Sequence, residues 1–229
     1  MPRSVTRPEV RCKPEMKKSA NRNFRQVVQR ATVEFPETGG RGVLVGGNLI
    51  LTSAHCIGYE TDGTLALDDH LIREIHTHAG QHLQVQILVI DLVSDLAVLG
   101  SPDKKEFNKQ SADFNDYCRA ITPVPVCFED RQRFTVFPVE IWTHNKVWVP
   151  GKGSLDDRNT RRITIQSGIN IRGGTCGSAI VNEIGELIAV VASSNSDGNA
   201  SGQECVGLNP FFPNALPVWV VKKIRGGLR

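Results

Sequence analysis

Three short stretches carry side chains that together could perform nucleophilic chemistry. The first is Ile169-Asn170-Ile171-Arg172-Gly173-Gly174-Thr175-Cys176-Gly177-Ser178-Ala179-Ile180-Val181, a Gly-rich turn that runs straight into an apolar strand. Such a turn lets a backbone pass close to a substrate, holds one side chain out at its apex and aims amide N–H groups at a developing oxyanion. The side chain at this apex is the thiol of Cys176. The second stretch, Leu51-Thr52-Ser53-Ala54-His55-Cys56, puts an imidazole at the end of an apolar run, and the third, Asp95-Leu96-Ala97-Val98-Leu99, puts a carboxylate at the start of another.

A thiol, a base and an orienting carboxylate are the parts that cysteine-based acyl transfer needs. The attacking species is the thiolate, so a free thiol with a pKa of about 8.5 needs a base beside it at neutral pH. His55 is placed to accept that proton and return it to a leaving amine, while Asp95 accepts the other imidazole N–H and fixes the tautomer. Ser178 is a rival nucleophile two residues on, and Asp91 is a rival carboxylate. Each stretch alone has a plainer reading: a small buried Cys in a turn, a core His, a turn Asp.

These residues must be positioned by strands. With 229 residues and 40% hydrophobic content, the chain can bury one large core or two small barrels sharing an interface. Short β-branched and aliphatic runs recur at 32–35, 42–45, 48–51, 71–76, 82–90 and 96–99, separated by Pro36, Gly39-Gly40 and Gly46-Gly47. We read 31–103 as a first barrel with His55 and Asp95 at its cleft edge. Residues 104–120 are a polar inter-barrel link. Residues 121–229 form a second barrel around Cys176, with strands at 122–128, 134–142, 146–149, 162–166, 178–182, 186–192 and 204–208, and a short helix over Pro217 to Arg225.

The order His, Asp, nucleophile, with T-S-A-H-C, D-L-A-V-L and G-G-T-C-G-S-A, resembles the chymotrypsin/trypsin-like peptidases, most closely their bacterial HtrA-type branch, from about Gly42 to the C-terminus. The chain departs from that family in carrying Cys176 where most members carry Ser, as the chymotrypsin-like cysteine proteases of RNA viruses do. The resemblance implies an all-β fold of two six-stranded antiparallel β-barrels with a short C-terminal helix. It further implies a Cys176–His55–Asp95 triad, preferring Asp95 over Asp91, and an oxyanion hole from the backbone N–H groups of Gly174 and Cys176. The substrate side chain would be lined by Asn170, Ala192, Ser193 and Ser194, with no acidic residue to select Arg or Lys. Thr175 stands where the family's usual acidic residue precedes the nucleophile, so activation by a freed N-terminus is not expected. Such a protein would be an endopeptidase working through an acyl-enzyme on protein or peptide substrates, without a cofactor; the alternative is a catalytically weak member of the fold used as a protein-binding module.

The remaining residues set the context. Residues 1–30 carry nine basic residues against Glu9 and Glu15, a side-chain sum of +7, so the remainder is near −4 given the total of +3. We read this as a flexible, solvated basic segment with one short helix around Ser19 to Arg30. Binding of nucleic acid or an acidic partner through it is not favoured, because aromatics are not interleaved with the charges. No apolar h-region opens the chain and no run is long enough to cross a bilayer, which points to a cytoplasmic protein without membrane contact, whose cysteines at 12, 56, 118, 127, 176 and 205 are reduced. Cys56 reads as packing. His70, His76, His78 and His82 read as a solvated barrel surface with no metal, because no acidic or Cys ligand stands at a firm spacing.

Overall fold

The computed structural model describes residues 23–59, 71–129, 135–155, 162–167, 171, 174–192 and 205–227. Six strands, β1 (Thr32–Glu34), β2 (Arg41–Val45), β3 (Leu49–Thr52), β4 (Ile72–Thr77), β5 (His82–Asp91) and β6 (Leu96–Gly100), close into an antiparallel barrel in the order β1-β2-β3-β6-β5-β4. The tight β2–β3 hairpin turns on Gly47 and Asn48, both with left-handed backbone at φ 77 and 55°, a conformation that Gly and Asn tolerate best. Strand β5 alternates between exposed or half-buried and buried residues at its start, whereas β2, β3 and β6 are buried at every position. Those three strands are therefore covered on both faces and read as continuous apolar runs in the sequence.

The second set, β7 (Phe137–Trp142), β8 (Trp148–Leu155), β9 (Arg162–Ser167), β10 (Ala179–Asn182), β11 (Leu187–Val190) and β12 (Cys205–Pro210), forms an antiparallel sheet in the order β11-β10-β7-β8-β9-β12. Its two end strands come together, so this sheet is a nearly closed barrel. One apolar cluster fills the first barrel and extends to Trp142, Leu187 and Val190, and a second, with Phe137, Ile141, Ile165, Ile188 and Phe211, fills the second. The architecture is the all-β, two-barrel fold of the trypsin-like type. Among the described residues no helix is long and apolar enough to cross a membrane.

Among the described residues four α-helices decorate the barrels: α1 (Asn23–Ala31), α2 (Asn108–Ala120), α3 (Phe212–Ala215) and α4 (Val218–Gly226). Helix α4 starts just after Pro217, as its sequence suggests, and returns to the first barrel, where a Cβ at Gly46 would stand 2.6 Å from the Ile224 carbonyl. Three expectations need correction. Residues 104–120 are not merely a link: α2 occupies their C-terminal part because Ser111, Phe114 and Tyr117 recur at helical spacing and are buried. Residues 122–128 are not a strand of the second barrel. Instead Val124 makes a parallel bridge to Val45 and Val126 another to Leu187, so this segment straps one barrel to the other.

The third concerns the basic segment: the sequence predicts a short helix around Ser19 to Arg30, and α1 (Asn23–Ala31) is that helix, but it packs against the second barrel and is not part of a flexible, solvated segment. Residues 23–30 are ordered in α1, where Arg25 forms a two-pronged ion pair with Glu140 and Phe24 meets Trp148 edge-on at 5.9 Å. Residues 1–22 lie outside the described part.

Candidate active site

Antiparallel pairing brings the base and the carboxylate together. Strands β3 and β6 are neighbours, with Thr52 opposite Ala97, so the chain leaving β3 lies beside the chain entering β6. His55 follows β3 in a single 3-10 turn, Ala54–Ile57, closed by Gly58 in the left-handed region. Asp95 immediately precedes β6 and itself has φ 49°. That backbone turns its carboxylate inward: one oxygen accepts the His55 backbone N–H at 3.0 Å, and the other pairs with imidazole Nδ1 at 2.7 Å. Asp91 is elsewhere engaged, accepting the Ser94 N–H at 3.1 Å in the β5–β6 turn.

The thiol arrives from the second barrel. The loop before β10 turns left-handed at Gly174 (φ 83°) and again at Gly177 (φ 78°), which leaves Cys176 between them and half-buried. Asp95 chiefly, then the neighbouring side chains of Cys176 and Cys56, raise the His55 pKa from the ordinary 6.5 to about 12. Cys56 is thus more than packing. Its sulfur lies 3.7 Å from Nε2, yet it is 2% exposed, whereas Cys176 is half-buried. Ser178, the rival nucleophile, is also sealed in, with a buried hydroxyl that has no hydrogen-bond partner among the described residues.

Several residues that sequence reasoning did not single out hold the two halves of the site in register. The Arg41 backbone N–H donates to the Cys176 carbonyl at 2.9 Å, and the Arg41 carbonyl accepts the Thr52 hydroxyl. The Val191 carbonyl accepts both the Ser53 hydroxyl at 2.6 Å, from the turn that carries His55, and the Gly177 N–H at 2.7 Å, from the loop that carries Cys176. The buried Arg41 guanidinium reaches across to the carbonyls of Thr143 and His144 and pairs with Glu34. Burial is the main influence on that guanidinium and lowers its pKa, with Glu34 opposing the shift. The one signal in the sequence was a lone charge in an otherwise apolar strand, Gly40-Arg41-Gly42-Val43-Leu44.

Of the residues expected around the substrate side chain, Ala192 is 3% exposed and gives its N–H to Asn209 Oδ1 at 2.9 Å. Asn170, Ser193 and Ser194 lie outside the described residues. Thr175 is buried and accepts the His144 backbone N–H at 3.4 Å, so it props the turn as a neutral group. Among the described residues Cys56, Cys118 and Cys176 are free thiols, and burial pushes the Cys118 thiol up to about 12.

The fold is similar to that of Rv3671c from M. tuberculosis H37Rv. The inactive form of a serine-to-alanine mutant of that protein aligns with a TM-score of 0.53 at 13% identity over 91% of each chain. The Rv3671c protease in its inactive form aligns at 0.51 and 10% identity, over 91% of this chain and 94% of its own. No curated protein sequence matches. Residues 40–190, the stretch that carries His55, Asp95 and Cys176, match the trypsin-like peptidase domain, and the chain belongs to that family.

Proposed function

We propose that the protein is an endopeptidase that cleaves peptide bonds with Cys176 as nucleophile, His55 as general base and acid, and Asp95 as the group that orients the ring. One observation supports this reading: a single imidazole is bonded on Nδ1 to a buried carboxylate at 2.7 Å, and its basicity is raised further by a half-buried cysteine from the opposite barrel. With Nδ1 committed to Asp95, Nε2 is the nitrogen left to take the thiol proton. The sulfur then attacks the scissile carbonyl, its electrons move onto the carbonyl oxygen, and backbone N–H groups of Gly174 and Cys176 stabilise that oxyanion. Collapse expels the amine, which takes the proton held on Nε2, and leaves a thioester on Cys176. A water molecule activated by the same nitrogen hydrolyses it and regenerates the thiol.

The raised basicity of His55 favours transfer of a proton to the imidazole at neutral pH, and the thiolate is the form of the sulfur that attacks. Two experiments test the reading. Cleavage of a peptide library should be lost in Cys176→Ala and strongly reduced in Cys176→Ser. Alkylation by iodoacetamide at about pH 6 should fall on Cys176 and slow sharply in His55→Ala, because the thiolate rather than the thiol reacts. A chain that binds peptides equally well with and without the sulfur, and never cleaves them, would instead be a binding module on a peptidase fold.

A further inference from the structure

The β4–β5 hairpin carries a second cluster of chemistry-bearing side chains, away from the proposed triad. Glu74 and His76 are two residues apart on β4 and so share a face. On β5, His82 stands opposite His76 in the register. The three side chains converge. One Glu74 oxygen lies 3.0 Å from His76 Nε2 and 2.9 Å from His82 Nδ1, and the imidazole rings lie tilted by 37° with centroids 3.9 Å apart. All three donor atoms fall within 4.8 Å of one another. His76, His78 and His82 alone lack an acidic partner; Glu74, on the same face of β4, supplies it.

We propose that Glu74, His76 and His82 form a surface site for a divalent transition-metal ion of the zinc class, bound through a Glu74 carboxylate oxygen, His76 Nε2 and His82 Nδ1, with water completing the shell. Metal–ligand distances near 2.0–2.1 Å place tetrahedral donors about 3.3 Å apart, so the oxygen already sits near its distance from each nitrogen. Two imidazoles and a carboxylate are the donor set that zinc takes where a position is left for water. With side chains 33% (His76), 45% (Glu74) and 67% (His82) exposed, an ion reaches them from solvent without opening the barrel. The hollow over Glu74 and His82 is otherwise lined by Leu83, Gln84, Gln110 and Asp113, the last two from α2, and Asp113 is paired with Lys109 at 2.6 Å, so the ligand set itself must supply the attraction for the ion. The other edge of β4 pairs with β1, where His76 stands opposite Glu34. An ion here would clamp β4 to β5 beside the strand pair that closes the first barrel, and so stabilise that barrel.

The test uses the full chain with Cys176→Ala, which removes the thiol of the proposed triad as a competing ligand. Titration with zinc chloride in a calorimeter should show one site, with a rise in Tm on saturation. Adding Glu74→Gln should weaken binding at least about tenfold, and His76→Gln with His82→Gln should abolish it. Glu74 and His82 are exposed and His76 half-buried, so metal-free Tm and circular dichroism check that each variant is folded. Copper(II) in place of zinc should show nitrogen hyperfine splitting that the double variant lacks. Equal zinc affinity in the double variant, or no binding by the folded parent, would overturn the proposal.

Discussion

At the scale of single residues, Asp95 makes an unusual demand on its replacement. Its backbone is left-handed at φ 49°, where Asn is tolerated and Ala or Leu is strained. Asp95→Asn therefore isolates the chemistry: it keeps an oxygen for the His55 backbone N–H but offers the ring no carboxylate. We expect kcat/KM for peptide cleavage to fall by about 10⁴-fold, the scale on which an orienting carboxylate matters in such triads, while the fold persists. The same substitution should change how stability depends on pH. His55 has a raised pKa in the folded protein, so its contribution is fully present below its ordinary value, declines as pH rises past it and is gone above the folded value. Its side chain is 35% exposed, so solvent screening makes this contribution modest. The Tm gap between the parent and Asp95→Asn should thus be wider at about pH 6 than at about pH 9. Ser178 offers the opposite experiment. Its buried hydroxyl has no partner among the described residues, and such an orphan costs about 1–3 kcal/mol. Ser178→Ala should raise Tm and leave cleavage intact; a loss of cleavage would move the nucleophile from Cys176 to Ser178.

Elements explain why part of the site was legible in the sequence. His55 after one apolar run and Asp95 before another are adjacent because β3 and β6 pair antiparallel, and short apolar runs bounded by Gly and Pro are strong strand signals. Cys176 was legible because glycines flank it, and Gly177 has no substitute. A Cβ there would lie 1.7 Å from the Arg41 carbonyl oxygen at a left-handed φ of 78°. We expect Gly177→Ala to cost at least about 3 kcal/mol, read as a fall in urea midpoint, by prising the Cys176 loop off β2. Other parts were hidden for physical reasons. Helix α2 is polar over most of its surface and buries only Ser111, Phe114 and Tyr117, a stripe too narrow to stand out between charged neighbours. Residues 122–128 look like a strand because they are apolar, but they bridge two sheets through Val124 and Val126, and alternation alone cannot tell a strap from a ladder strand. Phe114 is 0% exposed, so Phe114→Ala should cost about 3–5 kcal/mol despite the polar sequence around it.

Across the whole molecule, the proposed triad works only if two barrels hold still relative to each other, because His55 and Asp95 come from one and Cys176 from the other. Arg41 is the residue most committed to that alignment. Its backbone belongs to β2 and holds the Cys176 carbonyl, while its guanidinium takes the carbonyls of Thr143 and His144 in the β7–β8 turn. His144 in turn gives its N–H to Thr175, and a Cβ at Gly174 would stand 3.2 Å from its ring, so the turn that Arg41 grips is the one that backs the proposed oxyanion loop. Replacing Arg41 with Met keeps most of the buried volume and the backbone bond to Cys176, but takes the guanidinium from the His144 carbonyl and leaves the Thr143 carbonyl with the Lys146 N–H alone, at roughly 1–3 kcal/mol for a carbonyl left buried without a donor. The consequence for function is a split between two rates. Alkylation of Cys176 needs only the sulfur and His55, and should change by less than about twofold, whereas peptide cleavage also needs aligned oxyanion donors and should lose about 10²-fold in kcat. Parallel loss of both rates would mean that Arg41 acts on the imidazole–sulfur pair itself.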